Sequence, residues 1–426
     1  MLRSLKVRFV CALLASMAAA LGTPPCAAAQ HKHAHSSAAP PAAASATAAS
    51  ATADATAAAA ALSAFPGVVP PPPAVDARSY ILVDFRTDTT LAALAPAERM
   101  EPASLTKLMT VYLVFGELAS GKLKLEDMIP VSEHAWRAGG GATDGSSSFL
   151  ELGVPVSVQD LLLGVIVQSG NDASIVLAER VGGTETTFAT LMNATAARLG
   201  MTGTHFENAT GLPSDQHYTT ARDMSLMARA LIRDFPQYYK WFSVREFEHN
   251  HIKQGNRNTL LDKDPTVDGL KTGHTEAAGF CLVTSSLREG TRLISVVLGS
   301  SSMKGRENAS ASLLGYGFTF YETKLGVKGG AALASTHVWK AAQTPVELGV
   351  PSDFYITLPR SQSDISTATE VQPKLIAPLA ADANVGSVRV IHAGQTLATL
   401  PLHPLSAVES GGWWRRLIDT IRLWFA

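Results

Sequence analysis

The stretch Pro102-Ala-Ser-Leu-Thr-Lys-Leu-Met-Thr-Val-Tyr-Leu-Val-Phe-Gly-Glu-Leu118 sets the frame for the whole chain. Leu105, Leu108, Met109, Tyr112, Phe115 and Leu118 recur at three- and four-residue steps, Pro102 precedes the run and Gly121 lies just past it. The spacing predicts an amphipathic helix buried along one face. Ser104 and Lys107 fall in its opening turn. Residues three apart lie on the same side of a helix, so the lysine amine can approach the serine hydroxyl and take its proton, and N–H groups at the helix start favour an oxyanion there. Taken alone, Ser-x-x-Lys is common and reads far more readily as a capped, solvated first turn.

Outward from this helix, the periodicity changes. Ser79-Tyr-Ile-Leu-Val-Asp-Phe85 and Leu91 to Leu94 read as a β-hairpin upstream. Downstream, helices are expected from Ser157, with Asp160 completing a capping pattern, to about Val167, over Asp172–Val181, over Glu185–Leu199 with Gly200 as cap, and from Thr220 to Arg233. Strands follow at Val267–Gly273, Phe280–Leu287 and Arg292–Leu298, the last two around the turn Arg288-Glu-Gly290. A helical middle between strands from both ends predicts an α+β domain with an antiparallel sheet. From Val327 to Leu405 only short β-like pieces appear, including Val388–His392 and Thr396–Leu400 around Ala393-Gly-Gln395, which predicts a separate small all-β domain.

Two further polar clusters fall at element ends. Gln168-Ser-Gly-Asn171 interrupts two apolar helices and presents Ser169 and Asn171 on rigid supports, as proton relay and substrate hydrogen bonding require. Val267-Asp-Gly-Leu-Lys-Thr-Gly273 puts Lys271 and Thr272 on a strand, with Gly273 allowing another chain close to its backbone. Ser-x-x-Lys, Ser-x-Asn and Lys-Thr-Gly in this order form the signature of penicillin-binding proteins and class A β-lactamases.

The stretch from about Tyr80 to Glu322 resembles the low-molecular-mass penicillin-binding proteins of the D-alanyl-D-alanine carboxypeptidase family, in Pro102-Ala-Ser-Leu-Thr-Lys107, Gln168-Ser-Gly-Asn-Asp-Ala173, His205-Phe-Glu207, Ala221-Arg-Asp-Met224, Asp268-Gly-Leu-Lys-Thr-Gly-His274 and Lys304-Gly-Arg306. The resemblance implies a penicillin-binding/β-lactamase-like catalytic domain, a small β domain and a C-terminal amphipathic helix. It implies that Ser104 attacks the carbonyl between two terminal D-alanines of a cell-wall stem peptide with Lys107 as general base. Ser169 and Asn171 would relay protons and hold the peptide, and Lys271 and Thr272, with Gly273 beside them, would bind the terminal carboxylate. The backbone N–H groups of Ser104 and His274 would form the oxyanion hole, and Arg306 would add positive potential, unless it forms a surface ion pair. β-Lactams would acylate the same serine. No metal or organic cofactor is implied.

A β-lactamase shares the three motifs, but no Glu-x-Glu-Leu-Asn segment lies between Asn171 and Lys271, and Gly170 stands where those enzymes have Asp. A D,D-endopeptidase, or an inactive scaffold that binds wall peptides, remains open on the sequence.

The ends of the chain address its location. Arg3, Lys6 and Arg8 precede an apolar run from Phe9 to Leu21 and Ala27-Ala-Ala29, a cleavable secretory leader over 1–29 that is too short to span a bilayer. The lipoprotein reading of Cys26 is disfavoured by Pro24 and Pro25 before it. Residues 30–75, rich in Ala, Ser, Thr and Pro, read as a disordered tether, with the alternating histidines His31, His33 and His35 a weak metal site at most. The remaining boundaries are expected at 76–325 for the catalytic domain, 326–408 for the β domain and 409–426 for a terminal helix. After removal of Cys11 and Cys26 with the leader, Cys281 is left alone in an apolar run, a buried and unreactive thiol that excludes an internal disulfide. In the last segment Trp414, Leu417, Ile418, Ile421, Trp424 and Phe425 share one helical face, with Arg415, Arg416, Asp419 and Arg422 on the rest. That pattern suits a helix lying on an anionic membrane surface; the plainer alternative is a helix docked on the β domain. Lys plus Arg (35) and Asp plus Glu (36) cancel, which removes the positive field that nucleic-acid binding needs. The combined expectation is an exported, periplasmic enzyme held peripherally on the outer face of the cytoplasmic membrane.

Overall fold

In the computed structural model, residues 69–140, 145–362 and 364–425 are described. The leader, the histidine triplet and most of the Ala-rich stretch lie outside them. The end of that stretch is a correction to the tether reading. Val69 and Val75 pack against buried core residues, and the Pro70 carbonyl accepts a hydrogen bond of 2.8 Å from Tyr316 Oη. A run of prolines has little backbone freedom to lose, so docking it costs little entropy.

Five antiparallel strands form the central sheet: β1 (Ser79–Asp84), β2 (Thr90–Leu94), β3 (Val267–Thr275), β4 (Gly279–Arg288) and β5 (Thr291–Ser300), in the order β2-β1-β5-β4-β3. The two chain ends of the catalytic domain meet in the β1–β5 pairing, where Ile81 lies opposite Val296. Strand alternation divides the interior into two cores. Ile81, Val83, Ile294, Val296 and Leu298 face the larger one, shared with the helical cluster, while Tyr80, Leu82, Leu293 and Val297 face a smaller one.

The helical cluster contains α1 (Lys107–Ala119), α2 (Asn171–Gly182), α3 (Glu185–Arg198) and α4 (Ala221–Asp234), close to the expected bounds. Thr184 and Thr220 cap α3 and α4 with their side chains, and Ser157 Oγ accepts from Asp160 N as its capping pattern predicts. The helix expected to run from Ser157 to Val167 is regular only over Val158–Leu163; it then widens into a π turn, Gly164–Gln168, and stops at Ser169 in a left-handed conformation, φ 61°. Such an inserted turn re-aims the residues after it.

The smaller core is covered by α5 (Met303–Phe320), a helix the apolar spacing does not announce. Its buried residues mix Arg306, Glu307 and Ser310 with Ala309, Leu313, Leu314, Tyr316 and Phe318, and at Gly317 a Cβ would come within 2.5 Å of Leu293 Cδ1, so polar residues and a glycine interrupt the apolar stripe. A polar hairpin, Glu246–His249 with Ile252–Gly255, is also unannounced.

Strand Tyr321–Val327 straddles the boundary expected at 325/326 and pairs with Phe354–Pro359 as a ribbon leading into a second, five-stranded sheet with its own core around Val338, Leu348, Val388, Val390 and Leu402. The last helix, α6 (Trp413–Leu423), is mounted on this domain by its polar side. Asp419, one of the polar residues off the apolar face, is buried and accepts from Lys340 N at 2.7 Å, and Arg415 Nη1 donates to Ala342 O at 3.1 Å. Trp413, Trp414, Leu417, Ile418, Ile421, Trp424 and Phe425 are all exposed. Among the described residues no helix is long and apolar enough to cross a membrane.

Candidate active site

Ser104 lies in the 3-10 turn Ala103–Thr106 that leads into α1, and Lys107 is the first residue of α1 proper. Strand β3 runs against this turn: a side chain on Gly273 would come within 3.0 Å of the Pro102 carbonyl, so glycine is what lets the Lys-Thr-Gly strand pack there. Ser104, Ser169, Asn171, Thr272, Gly273, His274 and Arg306 line one cavity of about 490 Å³. Lys107 and Lys271 are buried beneath its floor.

The Lys107 amine has three oxygen neighbours: Ser104 Oγ at 3.0 Å, Asn171 Oδ1 at 2.7 Å and the Thr210 carbonyl at 2.6 Å. Burial pulls its pKa down to about 7, the positive charge of Arg257 pulls the same way, and Asp172 and Glu185 oppose them. A neutral amine carries two hydrogens and one lone pair. The Asn171 and Thr210 oxygens are acceptors only, so they take the two hydrogens and the lone pair faces the hydroxyl of Ser104. This arrangement can remove the Ser104 proton near neutral pH.

A second serine–lysine pair stands opposite. Lys271 Nζ donates to Ser169 Oγ at 2.9 Å and to the Thr272 carbonyl at 3.2 Å. Its pKa is pushed well below the usual lysine value by burial first, then by Lys107, Arg257 and Arg306. The left-handed turn at Ser169 lets its hydroxyl point back toward the strand, and Asn171 N donates to Ser146 O at 2.8 Å, tying the turn to the cleft wall.

Arg306 is not the surface ion pair that was the plainer reading. Its Nη1 donates to the Gly273 carbonyl at 3.0 Å and the Cys281 carbonyl at 3.4 Å, and its guanidinium lies 5.6 Å over the Phe280 ring. The His274 ring stacks on Phe280 at 4.0 Å, exposed at the rim. Cys281 is fully buried, its thiol pushed up to about 11 by burial.

Two contributors escape the sequence reading. Arg257 lines the cavity as a further cation, on an irregular segment between Gly255 and Leu260. No motif surrounds it. The Thr210 carbonyl comes from another irregular segment, 202–219, and a backbone group leaves no mark on residue identity; only Asn208, three residues before Gly211, signals a turn there.

Residues 67–302 match the model of the D-alanyl-D-alanine carboxypeptidase family, and residues 321–410 match the C-terminal domain of penicillin-binding protein 5. The chain is 40% identical over 362 residues to the D-alanyl-D-alanine carboxypeptidase DacA of Escherichia coli strain K12, covering 84% of this chain and 90% of that one. The chain belongs to the D-alanyl-D-alanine carboxypeptidase family. Among solved structures, penicillin-binding protein 5 from Haemophilus influenzae is similar with a TM-score of 0.75 and 39% identity, over 80% of this chain and 99% of that one. Penicillin-binding protein D2 from Listeria monocytogenes in its ampicillin-bound form matches with a TM-score of 0.51 and 28% identity, over 58% of this chain and all of that one. This carboxypeptidase is therefore a serine peptidase whose catalytic domain is followed by an all-β domain of the penicillin-binding protein 5 type, as the three motifs lead one to expect.

Proposed function

We propose that the carboxypeptidase removes the terminal D-alanine of a peptidoglycan stem peptide through an ester on Ser104. Lys107, neutral, takes the Ser104 proton as Oγ bonds to the carbonyl carbon between the two D-alanines. The C–N bond then breaks, and the leaving amine takes up the proton that Lys107 removed, passed on through Ser169 and Lys271. Water attacks the resulting ester and returns Ser104 to its hydroxyl form, releasing the shortened peptide as a carboxylic acid. The N–H groups of Ser104 and His274 hold the oxyanion, and Asn171 holds the peptide. Thr272 and Lys271 meet the terminal carboxylate, with Arg257 and Arg306 supplying the positive potential around it. The observation that carries this reading is the three-oxygen environment of the Lys107 amine.

The same serine is expected to be acylated by β-lactams, whose ring carbonyl and carboxylate mimic the dipeptide end. With no Glu-x-Glu-Leu-Asn segment between Asn171 and Lys271 to bring a glutamate to the deacylating water, the penicilloyl ester should persist. We further read the leader and the exposed aromatic face of α6 as those of an exported enzyme attached peripherally to the outer face of the cytoplasmic membrane through anionic lipid.

The test is release of D-alanine from a peptide ending in D-Ala-D-Ala, by the wild type and by Ser104→Ala. Release by the wild type alone supports both the activity and its nucleophile. Equal release by both proteins would remove Ser104 from the reaction.

A further inference from the structure

The Thr210 carbonyl that takes one hydrogen of the Lys107 amine has no sheet or helix to hold it. A single side chain does so. Asn208 Oδ1 accepts from Thr210 N at 3.1 Å, Thr210 Oγ1 at 2.9 Å and Gly211 N at 2.7 Å, and Asn208 Nδ2 donates to Leu212 O at 2.9 Å. On its other side the turn is pressed against the nucleophile's own backbone. Gly211 has φ +84°, and a Cβ there would run into the Ala103 carbonyl and approach Thr106 Oγ1 to 2.9 Å. Two more contacts fix the approach: Thr110 Oγ1, on α1, donates to Ala209 O at 2.7 Å, and Ala209 N donates to Glu185 Oε1 at 3.0 Å.

Asn208 touches neither Ser104 nor Lys107, so any influence it has on the chemistry passes through the turn. We infer that Asn208 is a positioning residue for the reaction: its side-chain oxygen fixes the Thr210 carbonyl, which in turn fixes the direction of the Lys107 lone pair. This rests on the reading of Lys107 as the base. An ammonium or amine group rotates freely about its Cε–Nζ bond unless its hydrogens are held, and a hydrogen bond weakens steeply once its angle closes. If the carbonyl drifts, the lone pair is no longer pinned on Ser104 Oγ. Thr210, Gly211 and Leu212 line the cleft themselves, but the carboxylate-binding groups stand apart from this turn, on β3, on α5 and at Arg257. The loss therefore falls on proton transfer more than on binding.

The experiment uses the full chain and a peptide ending in D-Ala-D-Ala, with acylation by benzylpenicillin as a second readout. Rates are expressed per mole of protein that is eventually acylated, measured by intact mass, so that misfolded material does not count. Asn208→Ala is expected to lower kcat roughly 10- to 100-fold with KM within about twofold, and to slow acylation in proportion. Asn208→Asp keeps an oxygen for all three donors but loses the hydrogen bond to Leu212 O, so it should fall between wild type and the alanine variant. Asn208→Ser, whose hydroxyl serves fewer of them, should fall between, and it carries the test should the alanine variant not fold. An alanine or serine variant with wild-type kcat overturns the inference. Lys107→Ala separates the two claims: if it acylates like wild type the base assignment itself falls, and if it is inactive while Asn208→Ala is normal only the positioning role falls.

Discussion

Arg257 acts on Lys107 and Lys271 through its charge, without bonding to either. Its charge, together with burial, depresses the pKa of Lys107 to about 7, and it contributes to the depression of Lys271 as well. The direction of the pH dependence follows. Only the neutral amine can accept the Ser104 proton, so acylation should rise with pH through about 7 and level off above it. Replacing Arg257 by Ala removes a cation that opposes protonation, so the Lys107 pKa rises and the acidic limb moves to higher pH. If Arg257 meets the substrate carboxylate as proposed, the same change should also lower kcat/KM roughly 10- to 100-fold. A pH series of acylation rates checks both at once. An unmoved limb would mean that the arginine and the amine are not electrostatically coupled.

Behind α1, the segment 202–219 acts as a strap, and its second fastening is a buried histidine. His217 Nδ1 accepts from Glu207 N at 3.2 Å, so Nε2 carries the hydrogen and donates to Thr106 Oγ1 at 2.8 Å. Burial lowers its pKa to about 4 from an ordinary 6.5. The unfolded chain therefore takes up a proton between pH 6.5 and 4 that the folded chain refuses. Above pH 6.5 the contribution is fully present; it declines as pH falls toward 4, by about 3 kcal/mol in all. His217→Gln offers a donor and an acceptor but no titration, and it should flatten the decline over this range. Urea melts at pH 7 and pH 4.5 measure the difference, and equal slopes in the two proteins would rule the histidine out. The strap also shows which parts of the site could be read in advance. Strands β1 to β5 and helices α1 to α4 are legible because one-sided burial imposes periods of two and 3.6 on their residues, and Ser104, Lys107, Ser169, Asn171, Lys271 and Thr272 because their chemistry requires those residue types at element ends. Helix α5 is not, since Arg306, Glu307, Ser310 and Gly317 interrupt the apolar residues of its buried side. Arg257 and Thr210 are not, since one sits on irregular chain and the other contributes only its backbone.

At the scale of the molecule, a chain of polar contacts links the catalytic sheet to the β domain and the β domain to the terminal helix. Asp84, at the end of β1, is buried and accepts from Thr323 Oγ1 at 2.7 Å, while Thr87 and Thr357 hydroxyls meet at 2.6 Å and Arg86 lies 4.0 Å over the Tyr355 ring. These contacts fix the ribbon of the β domain to the catalytic sheet, and Asp419 and Arg415 fix α6 to the β domain. The helix spends its polar residues on the protein and leaves its aromatic face outward, with Arg416 and Arg422 exposed beside it. An aromatic and basic surface of this kind is stabilised at the boundary between acyl chains and anionic headgroups, where the rings are buried and the guanidiniums meet phosphate. Deleting 413–426 should therefore abolish sedimentation with vesicles containing phosphatidylglycerol, and kcat on a soluble peptide should not change, because the cleft stands on a different sheet. Raising salt should weaken binding of the full chain partially, since screening acts on the arginines and not on the buried rings. Should the truncated protein sediment as the full chain does, the membrane surface must be met elsewhere on the molecule, and α6 would be a mounting for some other apolar partner.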